Sequence, residues 1–109
     1  MTLQDLQREL ATRDFGVLKH GSHLEESREF CVLQFDAAVR GRAFSDAPIT
    51  LPDLRPLNDA FGQGAEADAA RTQALLPVMV ARWDWSTWTE KRRNEWASRV
   101  AIETVRHII

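Results

Sequence analysis

The chain of 109 residues contains a single cysteine, Cys31, and no tyrosine. A single cysteine cannot form a disulfide within the chain, so the sequence predicts a fold that needs no covalent cross-link. The N-terminal residues Met1–Asp5 lack the basic start and the apolar run of a secretory signal peptide. These two absences predict an intracellular protein of the cytoplasm.

Long apolar runs and an excess of one charge are also absent. The longest apolar run, Ala74–Ala81, contains Pro77 and is far shorter than the roughly 20 residues that span a bilayer. The formal net charge is -2, and neither half of the chain has the basic excess that phosphate binding requires. We therefore expect no membrane association and no nucleic-acid partner.

The sequence signatures of the common enzymes are missing as well. The chain has no glycine-rich phosphate loop, no G-x-S-x-G nucleophile turn, no H-E-x-x-H zinc motif and no C-x-x-C pair. The motifs therefore predict no catalytic residue and no cofactor.

Helix signals fill the first half of the chain. Thr2 and Asp5 form a capping-box pattern before a helix expected over Leu3–Arg13, with Gly16 as its stop. A second helix is expected over Glu25–Arg40, because acidic residues open it and a wide apolar face follows them.

The second half of the chain adds further helix signals. Thr50–Asp53 repeats the capping-box pattern with a proline at an early position, which predicts a short third helix. A fourth helix is expected over Ala65–Trp83 with a kink at Pro77. Thr87 and Glu90 give a similar start for the last helix. We expect that helix to be lined by Trp88, Trp96, Val100, Val105 and Ile108.

These patterns predict an all-α single domain, residues 1–109, of four to five helices. A short strand pair has room only in Phe15–Leu18 and Phe44–Leu51. No repeat or low-complexity tract divides the chain.

The first candidate functional site in the sequence is a metal site. His20 and His23 lie three residues apart, and Cys31 follows His23 by eight residues, so together they offer two nitrogens and one sulfur. A structural zinc site needs a fourth ligand, for which Asp46 is the nearest candidate, and tight sites usually bring ligands in close pairs. We therefore expect no metal site here.

Cys31 has a second interpretation as a nucleophile, since a helix N-terminus or a neighbouring histidine activates a thiolate. The expected second helix places Cys31 roughly two turns from its start, among Phe30, Leu33 and Phe35. In such surroundings free cysteine behaves as a small hydrophobic residue. We therefore expect a buried and unreactive thiol.

A candidate polar site consists of His23, Asp46, Asn58 and Asp59. Two carboxylates brought together can divide acid and base roles, because proximity separates their pKa values. The alternative is structural, since Ser45 and Asp46 before Ala-Pro are ordinary turn residues and Asn58 and Asp59 can hold a helix end. On that interpretation the Asp46 carboxylate accepts backbone N–H bonds within its own turn.

Four tryptophans crowd into residues 83–96 together with several basic residues. Tryptophan and arginine are enriched at binding hot spots, although such clusters also occur in cores. Helical spacing places Trp88 and Trp96 near the core, so we expect Trp85 to remain partly exposed as an anchor. The predicted partner-binding surface is Arg82, Trp83, Trp85, Trp88 and Arg92.

Several short motifs in the middle of the chain resemble those of a known family. They are Gly21-Ser22-His23, Cys31-Val32-Leu33-Gln34, Ser45-Asp46-Ala47-Pro48, Leu57-Asn58-Asp59, Arg71-Thr72 and Leu75-Leu76-Pro77. This pattern, over about residues 16–80, resembles an uncharacterised family of short proteins from bacteria and their phages. Family members tend to have Glu at the position of Gln34, and His and Cys at those of Ala47, Ile49 and Leu51. The resemblance implies a bacterial or phage setting and no particular reaction.

The sequence therefore favours a small accessory module that binds another protein, or a second copy of itself. One alternative is a small enzyme whose pocket is built from the candidate polar site. Another is a weak nucleic-acid binder that uses the basic start of the last helix. Convergence of the polar residues on one cleft favours the enzyme, and an uninterrupted basic face favours nucleic acid.

Overall fold

The computed structural model describes residues 1–13 and 16–108, which form five α-helices and two short 3₁₀ helices. The α-helices are α1 (Leu3–Ala11), α2 (Val32–Val39), α3 (Arg55–Ala60), α4 (Ala65–Ala81) and α5 (Glu90–Ile108). The 3₁₀ helices are Glu25–Ser27 and Trp85–Thr87. No strand occurs in these described ranges, so the predicted all-α fold is confirmed.

Two expectations fall partly outside the described residues. The strand pair for which the sequence left room does not form over Gly16–Leu18 or Phe44–Leu51, and Phe15 is not among the described positions. Side chains are described as far as Arg99. The predicted apolar lining of the last helix by Val100, Val105 and Ile108 therefore lies outside the described side chains.

The core lies where α1, α2 and α4 meet. Helix α1 packs against both α2 and α4, and α2 packs against α3. Burial of these apolar faces supplies the main driving force for the fold. The buried apolar cluster comprises Leu6, Leu10, Leu18, Cys31, Val32, Leu33, Phe35, Leu51, Leu54, Leu75, Leu76 and Met79.

The start of α1 follows the sequence prediction. The Asp5 N–H donates to Thr2 Oγ1 at 3.1 Å, and the Thr2 N–H donates to Asp5 Oδ2 at 3.0 Å, which completes the capping box. The helix ends at Ala11 rather than at Arg13. Thr12 ends it by donating its hydroxyl to the Glu9 carbonyl at 2.7 Å.

The second helix is shorter than predicted, and its predicted start at Glu25 is wrong. Only one 3₁₀ turn forms at Glu25–Ser27, because Arg28 adopts a left-handed backbone with φ of 60° and interrupts it. Residues up to Cys31 then run without helix, and the Lys19 N–H donates to the Phe30 carbonyl at 2.7 Å. Helix α2 begins only at Val32.

Both capping boxes predicted further along the chain are wrong. The Thr50 hydroxyl donates to Asp36 Oδ2 at 2.5 Å instead of capping a helix, and α3 begins at Arg55. The Thr87 hydroxyl donates to the Asp84 carbonyl at 2.7 Å within a 3₁₀ turn. The threonine that follows the turn caps α5 instead, since Thr89 Oγ1 accepts from the Arg92 N–H at 3.2 Å.

Helix α4 contains Pro77 within its span, as predicted. Within the described residues, no helix is both long enough and apolar enough to cross a membrane.

Candidate functional site

The residues of the candidate polar site lie around one irregular segment, Lys19–His23. Asn58 on α3 is fully buried, and its side-chain Nδ2 donates to the Lys19 carbonyl at 2.9 Å. Its Oδ1 accepts from the Val32 N–H at 3.0 Å, at the start of α2. Asp59 Oδ1 accepts from the Gly21 N–H at 2.8 Å. These side chains therefore hold the segment against α2 and α3.

Asp59 is held ionised by the same contacts. Burial favours the neutral acid, but hydrogen bonds from the Gly21 N–H and the Asn58 amide outweigh it. The pKa of Asp59 therefore lies below its ordinary value.

Asp46 accepts a hydrogen bond from the hydroxyl of Ser22, in the same segment. The expectation that its carboxylate accepts backbone N–H bonds in its own turn is not borne out. Ser45 takes that role, because the Ala47 N–H donates to Ser45 Oγ at 3.0 Å. Asp46 thus links its turn to the irregular segment.

His23 forms the far end of this segment. Its Nδ1 lies 2.9 Å from Glu29 Oε2, and its carbonyl accepts from Gln34 Nε2 at 3.0 Å. The other ring nitrogen, Nε2, is buried and has no hydrogen-bond partner in the described part of the chain. Asp46, Asn58 and Asp59 thus each hold this segment through one side-chain polar atom, and His23 belongs to the segment itself.

Cys31 is buried, with 2% of its surface exposed, as the sequence predicted. Its predicted position inside a helix is wrong, because Cys31 is the N-cap of α2. The Cys31 N–H donates to Gln34 Oε1 at 3.1 Å, and the thiol accepts from the backbone N–H of Gln34. Burial raises the pKa of the Cys31 thiol, and the nearby Asp46 and Asp59 carboxylates raise it further. The thiol is therefore neutral near pH 7.

Metal ligands do not assemble in the described residues, where no group of three or more His, Cys, Asp or Glu side chains is placed to hold an ion. The imidazole of His20 instead lies beside Gln63, whose Nε2 is 3.3 Å from His20 Nδ1.

A buried ionic network that was not predicted from the sequence lies next to the segment. Arg71 on α4 is fully buried and donates to the carbonyls of Leu18 at 3.2 Å, Asn58 at 2.6 Å and Gly62. It also pairs with Asp68 at 2.7 Å. A buried arginine is a rare residue that no short-range pattern marks, because its acceptors are carbonyls distant in sequence.

Two surface cavities lie away from the candidate polar site. A groove of about 560 Å³ runs between α1 and α4, with Leu3, Val17 and Leu76 in its walls. A shallow depression follows the exposed side of α5 near Glu90 and Glu95. No residue of the candidate polar site lines either one.

The tryptophan cluster is largely buried, so the prediction of an exposed Trp85 is wrong. Trp85 and Trp88 are each 8% exposed. The Trp85 ring lies 5.2 Å from the ring centroid of Trp88 and 5.4 Å from that of Trp96. The 3₁₀ turn after α4 contains Trp85 and places its ring against Trp88 and against Trp96 in α5. Trp85 is therefore a core residue of this corner.

Arginine side chains cover the buried rings. The Cζ atom of Arg92 lies 3.6 Å from the centroid of the Trp88 ring. Arg82 Cζ lies 4.8 Å from the Trp88 centroid and 5.0 Å from that of Trp96. Such distances are typical of cation–π interactions. We call Arg82, Arg92 and the Trp88 ring that both cover the arginine surface.

Two other arginines of this region, Arg40 and Arg93, form an ion pair or hydrogen bonds within the fold. Arg40 lies 3.6 Å from the Trp83 ring centroid and pairs with Asp36 at 2.6 Å. Arg93 donates to the carbonyls of Trp85 at 2.9 Å and Ser86 at 2.9 Å. These arginines fix the fold, which distinguishes them from the arginine surface.

Arg82 and Arg92 have no carboxylate within ion-pair distance among the described residues. Arg82 donates from Nη1 to the Ala81 carbonyl at 3.0 Å, but its Nε is buried and has no hydrogen-bond partner there. Burial lowers the pKa of Arg82, and the charge of Arg92 lowers it further, against the opposing effect of Asp84. Both guanidinium groups remain charged at neutral pH.

A continuous basic face does not form beside the arginine surface. On α5, Glu95 follows Arg92 by three positions and precedes Arg99 by four, so it lies between them on the helix surface. Glu90 opens the same helix. Glu95 thus interrupts the basic residues on the described part of α5.

Comparison of the chain with family models, with curated proteins and with solved structures gives no match.

Proposed function

We propose that this protein is an accessory module that binds another protein through the arginine surface. The observation that carries the proposal is the state of Arg82 and Arg92. Both guanidinium groups cover Trp88, and neither is paired with a carboxylate among the described residues. Arginine and tryptophan are the residues most enriched at binding hot spots, where buried aromatic rings support exposed polar contacts.

Support also comes from the rigidity of the Trp88 ring. Its Nε1 donates to Asp84 Oδ1 at 2.9 Å, and the ring packs against Trp85. A guanidinium that already rests on a fixed ring loses less side-chain freedom when a partner binds. The arginine surface is thus ordered before any contact with a partner.

The position of Arg92 is unfavourable for folding alone. Lys91 and Arg92 lie in the first turn of α5, near the positive end of the helix dipole. A basic residue there typically destabilises a helix by about 0.3–1 kcal/mol. The contact of Arg92 with the Trp88 ring offsets part of this cost, and Arg92 has no ion pair among the described residues, which leaves its charge available to a partner.

The alternative of a small enzyme has less support. Asn58 and Asp59 use their side chains to hold the irregular segment, and the neutral Cys31 thiol lies within the core. A catalytic site needs such groups directed at a cavity instead.

The proposal is tested by affinity capture in cells of the native host, followed by quantitative mass spectrometry. Tagged wild-type protein is compared with the Arg82→Gln/Arg92→Gln variant and with Arg8→Gln as the matched control. Arg8 lies on α1 with 74% of its side chain exposed, so its loss removes one surface charge and little else. We expect a partner that wild type and Arg8→Gln retain equally.

The same partner should fall by at least about tenfold with the double variant, as loss of hot-spot contacts implies. Thermal unfolding must show that the double variant is folded. A partner captured equally by all three proteins would place the binding surface elsewhere and contradict the proposal. Arg92→Gln alone provides a second test, because Arg92 is exposed and its replacement removes only its contact with the Trp88 ring.

A further inference from the structure

We infer that the arginine surface recognises a carboxylate of an acidic protein segment, held against the guanidinium groups of Arg82 and Arg92. The inference rests on the proposed function and specifies the chemistry of its partner.

Arg82 has a hydrogen-bond donor, Nε, without an acceptor among the described residues. Buried polar groups in proteins are nearly always hydrogen-bonded, and a desolvated charge without a partner is costly. Arg82 lies against Trp88 and Trp96, and its Nε has no acceptor among the described residues. Its one hydrogen bond there runs from Nη1 to the Ala81 carbonyl. Nε itself is shielded from solvent, so an external carboxylate would reach this side chain through Nη2, which also has no hydrogen-bond partner among the described residues.

Arg92 places a second positive charge next to that of Arg82. Arg92 and Arg82 both cover Trp88, so two positive groups share one ring. The Arg92 charge lowers the pKa of Arg82, which agrees with their proximity. An anion bound to both would relieve this repulsion. A planar guanidinium also matches the two oxygens of a carboxylate.

Carboxylates near the arginine surface favour a protein segment over a nucleic acid as its partner. Asp84 holds the indole of Trp88 at the edge of the surface, while Glu90 and Glu95 lie further along on α5. A phosphodiester strand carries a negative charge at every step and gains affinity by neutralising several of them. It would meet these carboxylates on either side. An acidic peptide carries its carboxylates on flexible side chains, so one can contact the two arginines while the others turn away from Asp84, Glu90 and Glu95.

Purified protein and defined probes test this inference. Tryptophan fluorescence and calorimetry at low ionic strength measure binding of hexaglutamate, of the neutral hexaglutamine and of a twelve-residue oligothymidine. The proteins compared are wild type, Arg82→Gln/Arg92→Gln, Arg92→Gln and the control Arg8→Gln. Arg92→Gln keeps the test valid if the double variant fails to fold, since Arg92 is exposed.

We expect hexaglutamate to bind wild type and Arg8→Gln with equal Kd, and at least tenfold more weakly when Arg92 or both arginines are replaced. Hexaglutamine should not bind. Equal hexaglutamate affinity in all variants, absence of hexaglutamate binding, or tighter binding of oligothymidine would each overturn the inference. If capture in cells still depends on Arg82 and Arg92 while hexaglutamate does not bind, the proposed function stands and the carboxylate inference alone fails.

Discussion

The Nε atom of Arg71 donates a 2.6 Å hydrogen bond to the backbone carbonyl of Asn58, and both side chains are fully buried. Through this contact α4 is tied to α3. The Arg71 guanidinium also reaches the Leu18 carbonyl, and the Asn58 amide reaches that of Lys19. Two side chains thus satisfy the backbone of an irregular segment that has no secondary structure to do so.

Replacing Arg71 with Met should be strongly destabilising. The methionine fills part of the volume but leaves the carbonyls of Leu18, Asn58 and Gly62 without their donor and Asp68 without its buried partner. Loss of one member of a buried, hydrogen-bonded pair costs about 3–5 kcal/mol. Urea denaturation measures the change, with Arg8→Met as the exposed control. A loss below about 1 kcal/mol would show that the network contributes little.

Asp68 should give the fold part of its sensitivity to acid. Burial favours the neutral acid, but hydrogen bonds from Lys19 and Arg71 outweigh it, so its pKa lies below the ordinary value of 3.8. A carboxylate with a depressed pKa stabilises the fold above its ordinary value, and that stabilisation is lost as pH falls through the folded pKa.

The Asp68→Asn variant tests this assignment. We expect it to be less stable than wild type at neutral pH and to lose less further stability on acidification to about pH 3. Glu66→Gln, on the exposed side of α4, is the control. Parallel curves of unfolding free energy against pH for wild type and Asp68→Asn would contradict the prediction.

The hydrogen bond between Ser22 and Asp46 should contribute a modest, coupled amount of stability. Ser22→Ala and Asp46→Ala should each cost about 1 kcal/mol, as loss of one hydrogen bond does. The double variant should cost less than the sum of the two, because both single changes remove the same bond. A double-mutant cycle from urea denaturation measures the coupling. Strict additivity would mean that the two side chains act independently.

The helical content and part of the core could be predicted from the sequence, because local periodicity and capping determine them. The stripe of Leu6 and Leu10 and the box at Thr2 are of this kind. The start of α2 could not be predicted, since Cys31 is an unusual cap and its helix begins only after the left-handed turn at Arg28. Thr50 looked like a cap, but its hydroxyl is bound by Asp36, fourteen positions away.

The candidate functional residues, like the helices, could be predicted from the sequence only in part. The sequence identified His23, Asp46, Asn58 and Asp59 as a group, and they do lie around one segment. A structural role was one of the two interpretations of these residues, but their partners could not be predicted, because Lys19, Gly21 and Val32 lie far from Asn58 and Asp59 in the sequence. The exposure of Trp85 depended on how the chain turns after α4, which helical spacing does not report.

The contrast between Trp85 and Arg92 tests whether folding and binding are separable in the cluster. Trp85 packs against Trp88 and Trp96 and is buried, so Trp85→Ala should cost about 3–5 kcal/mol of unfolding free energy, as truncation of a buried aromatic side chain does. Arg92 is exposed, so Arg92→Gln should change stability by no more than about 0.5 kcal/mol.

The effects on partner affinity should have the opposite order to the effects on stability. The measured affinity of each variant is corrected for its unfolded fraction. At a temperature where Trp85→Ala remains folded, its affinity for the captured partner should fall less than that of Arg92→Gln, because both arginines are kept and only packing behind the Trp88 ring is lost. Arg92→Gln should bind at least about tenfold more weakly, because it removes a guanidinium that rests on Trp88. Urea denaturation and titration with the purified partner measure the two quantities separately. If Arg92→Gln proves as destabilising as Trp85→Ala and binds normally, Arg92 is a stabilising residue and the arginine surface is part of the fold alone.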